Sequence, residues 1–288
     1  MRLFEQINRR EVTVRPSQGD QALVPFREVR EAVRSSVRVI ADECAAWSLG
    51  DTERWVATGD HSPFDLMGPL RLPFDSMWFE WVFPKPESDG ARYAAWITAE
   101  EPGEDAPSGS VQFLASMFFR AKGGVAVYPP LAVGVYVGEF GEALGMCTSI
   151  DPHFPGHKGL TGSVGPKLIP AWVAIGLMNC RNVQVTESPA SAPVRSSRRR
   201  ARGSVRKPEP LSHHTITLPG SSRIRNLSEA REASGQDLPL HIVRGHFKTF
   251  TAEAPLLGKY VGTYWWRPAV RGSSDAGRIE TSYRVRPT

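Results

Sequence analysis

Residues 241–250 read HIVRGHFKTF. The run is apolar and β-prone enough for a strand, yet it holds two histidines, an arginine and a lysine. Side chains on a strand alternate between its two faces. The spacing therefore places Arg244, His246 and Lys248 on one face, and His241, Val243 and Phe247 on the other. Three cationic or titratable groups on one face serve no purpose in a core. They suit the grip of a phosphate.

Working outward, four segments read as strands: 213–218, 240–250, 260–267 and 279–285. Gly- and Pro-bearing turns separate the last three. This pattern predicts a small antiparallel sheet. If 240–250 and 260–267 form a hairpin in an even register, Tyr264 and Trp266 share the cationic face. Trp266 then stacks a base, and Tyr264 donates or accepts a proton. In an odd register Trp265 takes that place, and the sequence leaves the register open. Arg267 and Arg271, further along the same segment, extend the positive surface.

Upstream, 187–210 has the composition of a linker. It is rich in Ser, Pro and Ala and carries Arg198, Arg199 and Arg200 in a row. Such a segment buries no core. It is either a phosphate-backbone contact or a solvated basic linker. The net charge of +5 hides an asymmetry. From residue 191 onward there are 18 Lys and Arg against 7 Asp and Glu, a balance of +11. The first 190 residues hold 17 against 23, a balance of −6. A basic back suits nucleic acid, through counterion release. An acidic front suits a different partner.

The front portion reads as α+β. Residues 26–49 show apolar side chains at Val29, Val33, Val37, Ile40, Cys44 and Trp47, the stripe of one long amphipathic helix stopped by Gly50. Residues 70–84, 92–98, 111–120, 125–128 and 131–137 read as strands of an antiparallel meander. Residues 168–180, LIPAWVAIGLMNC, are apolar on nearly every side and predict a buried helix, followed by a short strand at 182–186. The expected fold is thus an N-terminal antiparallel sheet with a long amphipathic helix and a buried helix, plus a small C-terminal antiparallel sheet. The expected organisation is an α+β recognition domain over 1–186, a basic linker over 187–210 and a β-rich basic domain over 211–288.

Several chemistries find no footing. There is no P-loop, GxGxxG, GxSxG or HExxH. Cys44, Cys147 and Cys180 are odd in number and far apart, so they predict neither a disulfide framework nor a zinc motif. No apolar run reaches membrane-spanning length, and the N-terminus lacks a signal-peptide core. A cytoplasmic setting without membrane partner or cofactor follows. His153 and His157 lie four apart beside Asp151, but in a Gly/Pro loop rather than the helix that such metal ligands need. Glu80, inside the aromatic run MWFEW, is expected to serve a structural hydrogen bond rather than catalysis.

Metal-independent RNA cleavage needs a base for the 2′-hydroxyl, an acid for the leaving oxygen and cations for the developing charge. His246 fits the proton-transfer role, Arg244 a bidentate grip on phosphate and Lys248 a point charge. The same residues also fit binding without catalysis, or a plain charged sheet face with cation–π packing. His213 or His214 joins the site only if their strand neighbours 240–250.

The motifs VRGHFK (243–248), GKYVGTYWWRP (258–268) and VRG (270–272), with LMNC at 177–180 and Asn182-Val183 after it, resemble a group of proteins from bacterial viruses and mobile elements. In that group a basic RxHxx strand pairs with a Trp-bearing hairpin. The chain is also distantly similar to the anti-CRISPR family that suppresses production of the type V CRISPR effector nuclease. The resemblance implies control of one protein's expression at its mRNA, during translation in the host bacterial cell. It implies RNA handling by Arg244, His246 and Lys248, and recognition of a protein or nascent chain by the acidic N-terminal portion. A non-catalytic phage accessory protein and a virion structural protein remain alternatives.

Overall fold

The computed structural model describes residues 2–11, 13–16, 26–50, 67–83, 91–120, 125–128, 131–150, 160–190, 210–218, 239–243, 246–266, 269–271 and 273–278. Its centre is strand β3 (Ser76–Val82), whose five middle residues are all buried. A strand buried on both faces reads as a continuous apolar run rather than an alternation, which explains the density of aromatics in MWFEW.

β3 pairs antiparallel with β4 (Arg92–Glu100), and β4 with β5 (Val111–Arg120). β5 continues to β6 (Val125–Tyr128) near one end and to β7 (Leu131–Val137) along the rest of its length, and β7 pairs with β8 (Ala143–Ile150). β1 (Thr13–Pro16) runs parallel to β6. On the other side of β3, β2 (Val37–Ile40) lies parallel to it, then β10 (His213–Thr217) parallel to β2, then β9 (Gln184–Ser188) antiparallel to β10. Among the described residues the result is one mixed sheet of ten strands.

Helices cover both faces of its centre. α3 (Asp42–Gly50) and α4 (Leu160–Met178) pack with Met77, Phe79 and Trp81. α1 (Leu3–Asn8) and α2 (Phe26–Ser35) pack with Trp78, Ala94 and Phe118. Trp78 stacks on Phe118 with ring centroids 5.1 Å apart.

These observations overturn the expected fold. The main sheet is mixed, not antiparallel, and it dominates the molecule. No single long helix spans 26–49. Residues 37–40, VRVI, form β2 between α2 and α3. β-branched residues prefer a pleated surface, and β2 gains a full parallel ladder with β3 from Val37↔Met77 to Ile40↔Glu80. The helical stripe misled because α2 ends just where β2 begins, so spacings of three and four run across two elements. Arg38 seals the break. Its Nη1 donates to the Val33, Arg34 and Ser36 carbonyls, and its Nε to the Ser212 carbonyl.

The small C-terminal sheet is also corrected. Those of its expected strands that lie among the described residues do not form one sheet. β10 sits inside the large sheet. Residues 240–250 split into β11 (Pro239–Val243) and β12 (His246–Phe250). β11 lies between β14 (Ala269–Arg271) and β15 (Ser273–Arg278), antiparallel to the first and parallel to the second. β12 forms a two-stranded hairpin with β13 (Gly262–Trp266). Residues 279–285 lie outside the described residues. The buried helix expected over 168–180 corresponds to the C-terminal part of α4, which begins earlier, at Leu160, and ends at Met178. No helix among the described residues is long and apolar enough to cross a membrane.

Glu80 is fully buried. Its two carboxylate oxygens accept the backbone N–H groups of Leu3 and Phe4 at 2.6 and 3.0 Å, and Arg92 Nη1 lies 3.3 Å away. Burial pushes the carboxyl above its ordinary range, while Arg92 and the two N–H groups pull it back. Its work is to tie α1 to the sheet.

Candidate nucleic-acid interface

The hairpin register decides which side chains meet. His246 pairs with Trp266, Phe247 with Trp265, Lys248 with Tyr264, Thr249 with Thr263 and Phe250 with Gly262. Alternation then puts His246, Lys248 and Phe250 on one face with Tyr264 and Trp266. This is the even arrangement. His246 and Lys248 are exposed and Tyr264 is half-buried. The Trp266 side of the face stands open, with that residue 39% exposed.

The opposite face holds the hairpin to the core. Trp265 is 3% exposed. It meets Trp47 edge-on at 4.5 Å between centroids and Phe247 at 4.9 Å. Phe247 in turn lies over Gly68, whose φ of +66° and missing side chain leave room for the ring. Trp265, expected to contact nucleic acid in the odd register, is therefore a core anchor and unavailable to a ligand.

Asn182 completes the attachment. Its Oδ1 accepts the Trp265 N–H at 2.8 Å, and its Nδ2 donates to the Trp265 carbonyl at 2.7 Å. One side-chain amide thus imitates a neighbouring strand along the outer edge of β13. The Arg181 N–H adds a bond to the Thr263 carbonyl at 2.9 Å. Arg181 is exposed, and its side chain runs beside Gly262. Sequence reasoning did not single out Asn182 or Arg181 for this role, because their partners lie some eighty residues away along the chain.

On the open face the side chains touch one another. Lys248 Nζ sits 5.0 Å from the centre of the Phe250 ring. Phe250 and Tyr264 meet edge-to-face at 5.9 Å. A cation resting on an aromatic is stabilised by the ring quadrupole. His246 and Lys248, two residues apart on one strand, stand about 7 Å apart in Cα position, so one phosphate can lie between them. The face offers one cation, Lys248, for phosphate, aromatic surface for bases and the exposed imidazole of His246.

Arg244, Arg267, Arg198, Arg199 and Arg200 lie outside the described residues, as do Asp151, His153 and His157. Arg271 is on β14, paired with His241 on β11, and not on the hairpin strand where it was expected. His213 and His214 are on β10, inside the large sheet, and do not join the hairpin. His213 is buried, with Nδ1 2.8 Å from Arg2 Nη1 and its ring against Phe4. Burial, reinforced by Arg2, lowers its proton affinity.

The thiols are poor nucleophiles. Burial raises all three, Cys180 to about 12. No group of three metal-ligating side chains occurs among the described residues. A separate polar cleft of about 360 Å³ lies between α1, α2 and Leu211, with Asn8, Glu31, Arg34 and Ser35 in its walls. No protein-family model, curated protein or solved structure matches this chain.

Proposed function

We propose that this chain binds RNA through the open face of the β12–β13 hairpin and thereby lowers the expression of a specific target. The observation that carries this reading is the register that groups His246 and Lys248 with Tyr264 and Trp266 on the side away from the core. The +11 balance of the C-terminal part supports it, since a basic surface gains from counterion release on RNA. The resemblance of the hairpin motifs supplies the setting: control at an mRNA in a bacterial cell carrying a virus or mobile element. The acidic N-terminal part is left free to meet a protein or nascent chain.

A second reading, metal-independent RNA cleavage, is favoured by one feature. His246 shares its face with Lys248, and Lys248 sits directly opposite Tyr264. That gives a proton-transfer group, a cation and a phenol along one line of phosphates. Binding of labelled RNA by the full chain, followed over a range of salt, tests the first reading. Affinity should fall steeply with salt, and Lys248→Ala should flatten the slope by about one. Absent or salt-insensitive binding would remove it. Single-turnover cleavage in the presence of EDTA tests the second. His246→Ala should slow cleavage about 10²–10⁴-fold while RNA affinity stays near wild type. Unchanged cleavage by that variant excludes His246 as the proton-transfer group.

A further inference from the structure

The Trp265–Trp266 doublet separates into one buried and one open indole. The open one is not isolated. Across the hairpin it faces His246, and along the strand Tyr264 follows, itself edge-on to Phe250, which carries Lys248 over its ring. The centre of the face is thus aromatic, with Lys248 set over one of the rings. Positions 264 and 266 are about 7 Å apart along the strand, so their rings are separate platforms.

This arrangement restricts the form of nucleic acid that fits. Phosphates are exposed in every form, but base faces are exposed only where bases are unpaired. The A-form RNA duplex hides them in the stack, and its major groove is too narrow for side chains to read. The major groove of B-DNA admits a two-stranded ribbon, but it is read through hydrogen bonds to base edges. A ribbon centred on Trp, Tyr and Phe has few groups for that task. Aromatic side chains interleaved with cations are instead how single strands are held, each ring taking a base face while the charges follow the backbone.

We propose that the hairpin recognises unpaired RNA by stacking bases on Trp266 and Tyr264 while Lys248 and His246 engage the intervening phosphate. The substrate class is single-stranded RNA, at a loop, an end or an unfolded message. This rests on the RNA-binding reading above and specifies the form of the ligand. Both aromatic positions lie on the face opposite the anchors Phe247 and Trp265, so stacking there leaves the docked core undisturbed.

The test uses the full chain and four fluorescein-labelled probes: a short unstructured RNA, the same RNA annealed to its complement, the same backbone with abasic sites and a DNA duplex. The unstructured RNA should bind tightest, and its binding should quench tryptophan fluorescence. Trp266→Ala should weaken that binding about 5- to 150-fold, the range for loss of one base–aromatic stack. Trp266→Phe should recover much of it. Both variants should keep the wild-type circular dichroism melt, because the residue is not a core anchor. Equal binding of the abasic strand or of either duplex, or an unchanged affinity in Trp266→Ala, overturns the stacking proposal while leaving charge-driven RNA binding intact. Failure of the wild-type chain to bind any RNA overturns the RNA-binding reading itself.

Discussion

At the scale of single residues, the buried polar groups give this protein a pH dependence of its own. His213 is held neutral by burial and by the neighbouring Arg2, so its folded proton affinity lies below the ordinary value of 6.5. A histidine depressed in this way contributes stability above its unfolded value, and that contribution is lost as pH falls below it. Glu80 shifts the other way. Its carboxyl binds a proton more readily in the fold, so its contribution is greatest in acid and declines as pH rises above 4.5. Opposing shifts mean that only the difference between wild type and variant isolates one residue. The expected outcome is that His213→Gln melts with a flatter pH dependence than wild type below pH 6.5. Parallel melting curves across that range would show that His213 is not held neutral. The same logic made Glu80 readable as structural: a lone carboxylate amid aromatics must find donors. That the donors belong to Leu3 and Phe4, on a helix at the far end of the sequence, was not readable.

At the scale of elements, the hairpin is attached by few groups. The two bonds between Asn182 and the Trp265 backbone, the Arg181 N–H bond to the Thr263 carbonyl and the rings of Trp47, Phe247 and Trp265 hold it to the core. Removing the amide leaves a backbone donor and acceptor in a partly buried place, at a cost of about 1–3 kcal/mol for each unsatisfied group. Asn182→Ala should therefore lower the melting temperature and raise hydrogen exchange in 262–266 before exchange in β3 to β5 rises. Uniform exchange across all strands would show that the hairpin is not docked through Asn182. Alternation in 246–250 told which side chains share a face, since strand geometry has a period of two whatever the partner. The choice between Trp265 and Trp266 needed the register, and the register follows from burial of Phe247 against Gly68 and Trp265 against Trp47. Residues 26–49 failed for the converse reason. A β strand inserted between two helices is invisible to a helical stripe when the spacings happen to continue through it.

For the whole molecule, the large sheet draws its strands from distant parts of the chain. β2 and β3 are joined by β10 and β9, so residues 213–217 complete a sheet begun by residues 37–40. The fragment 211–288 would lack both neighbours of β10 and the Trp47 and Asn182 contacts of the hairpin. Expressed alone it should show no cooperative melt and no near-ultraviolet tryptophan signal, and co-expression with 1–210 should restore both. A cooperative melt of 211–288 by itself would mean that it folds independently of the sheet. The sequence by itself determined the local quantities: strands at 92–98, 111–120, 125–128 and 131–137, a buried apolar helix expected over 168–180 and found as the later part of 160–178, and the sharing of a face by His246 and Lys248. These depend on hydrophobic period and turn residues, which act over a few positions. Only the tertiary structure decided the mixed order of the large sheet, the dispersal of the C-terminal strands over three sheets and the burial of Trp265 rather than Trp266. Each of those is a choice of partner. Strand edges offer the same backbone donors and acceptors to any neighbour, so the choice is made by the burial of side chains far apart in sequence.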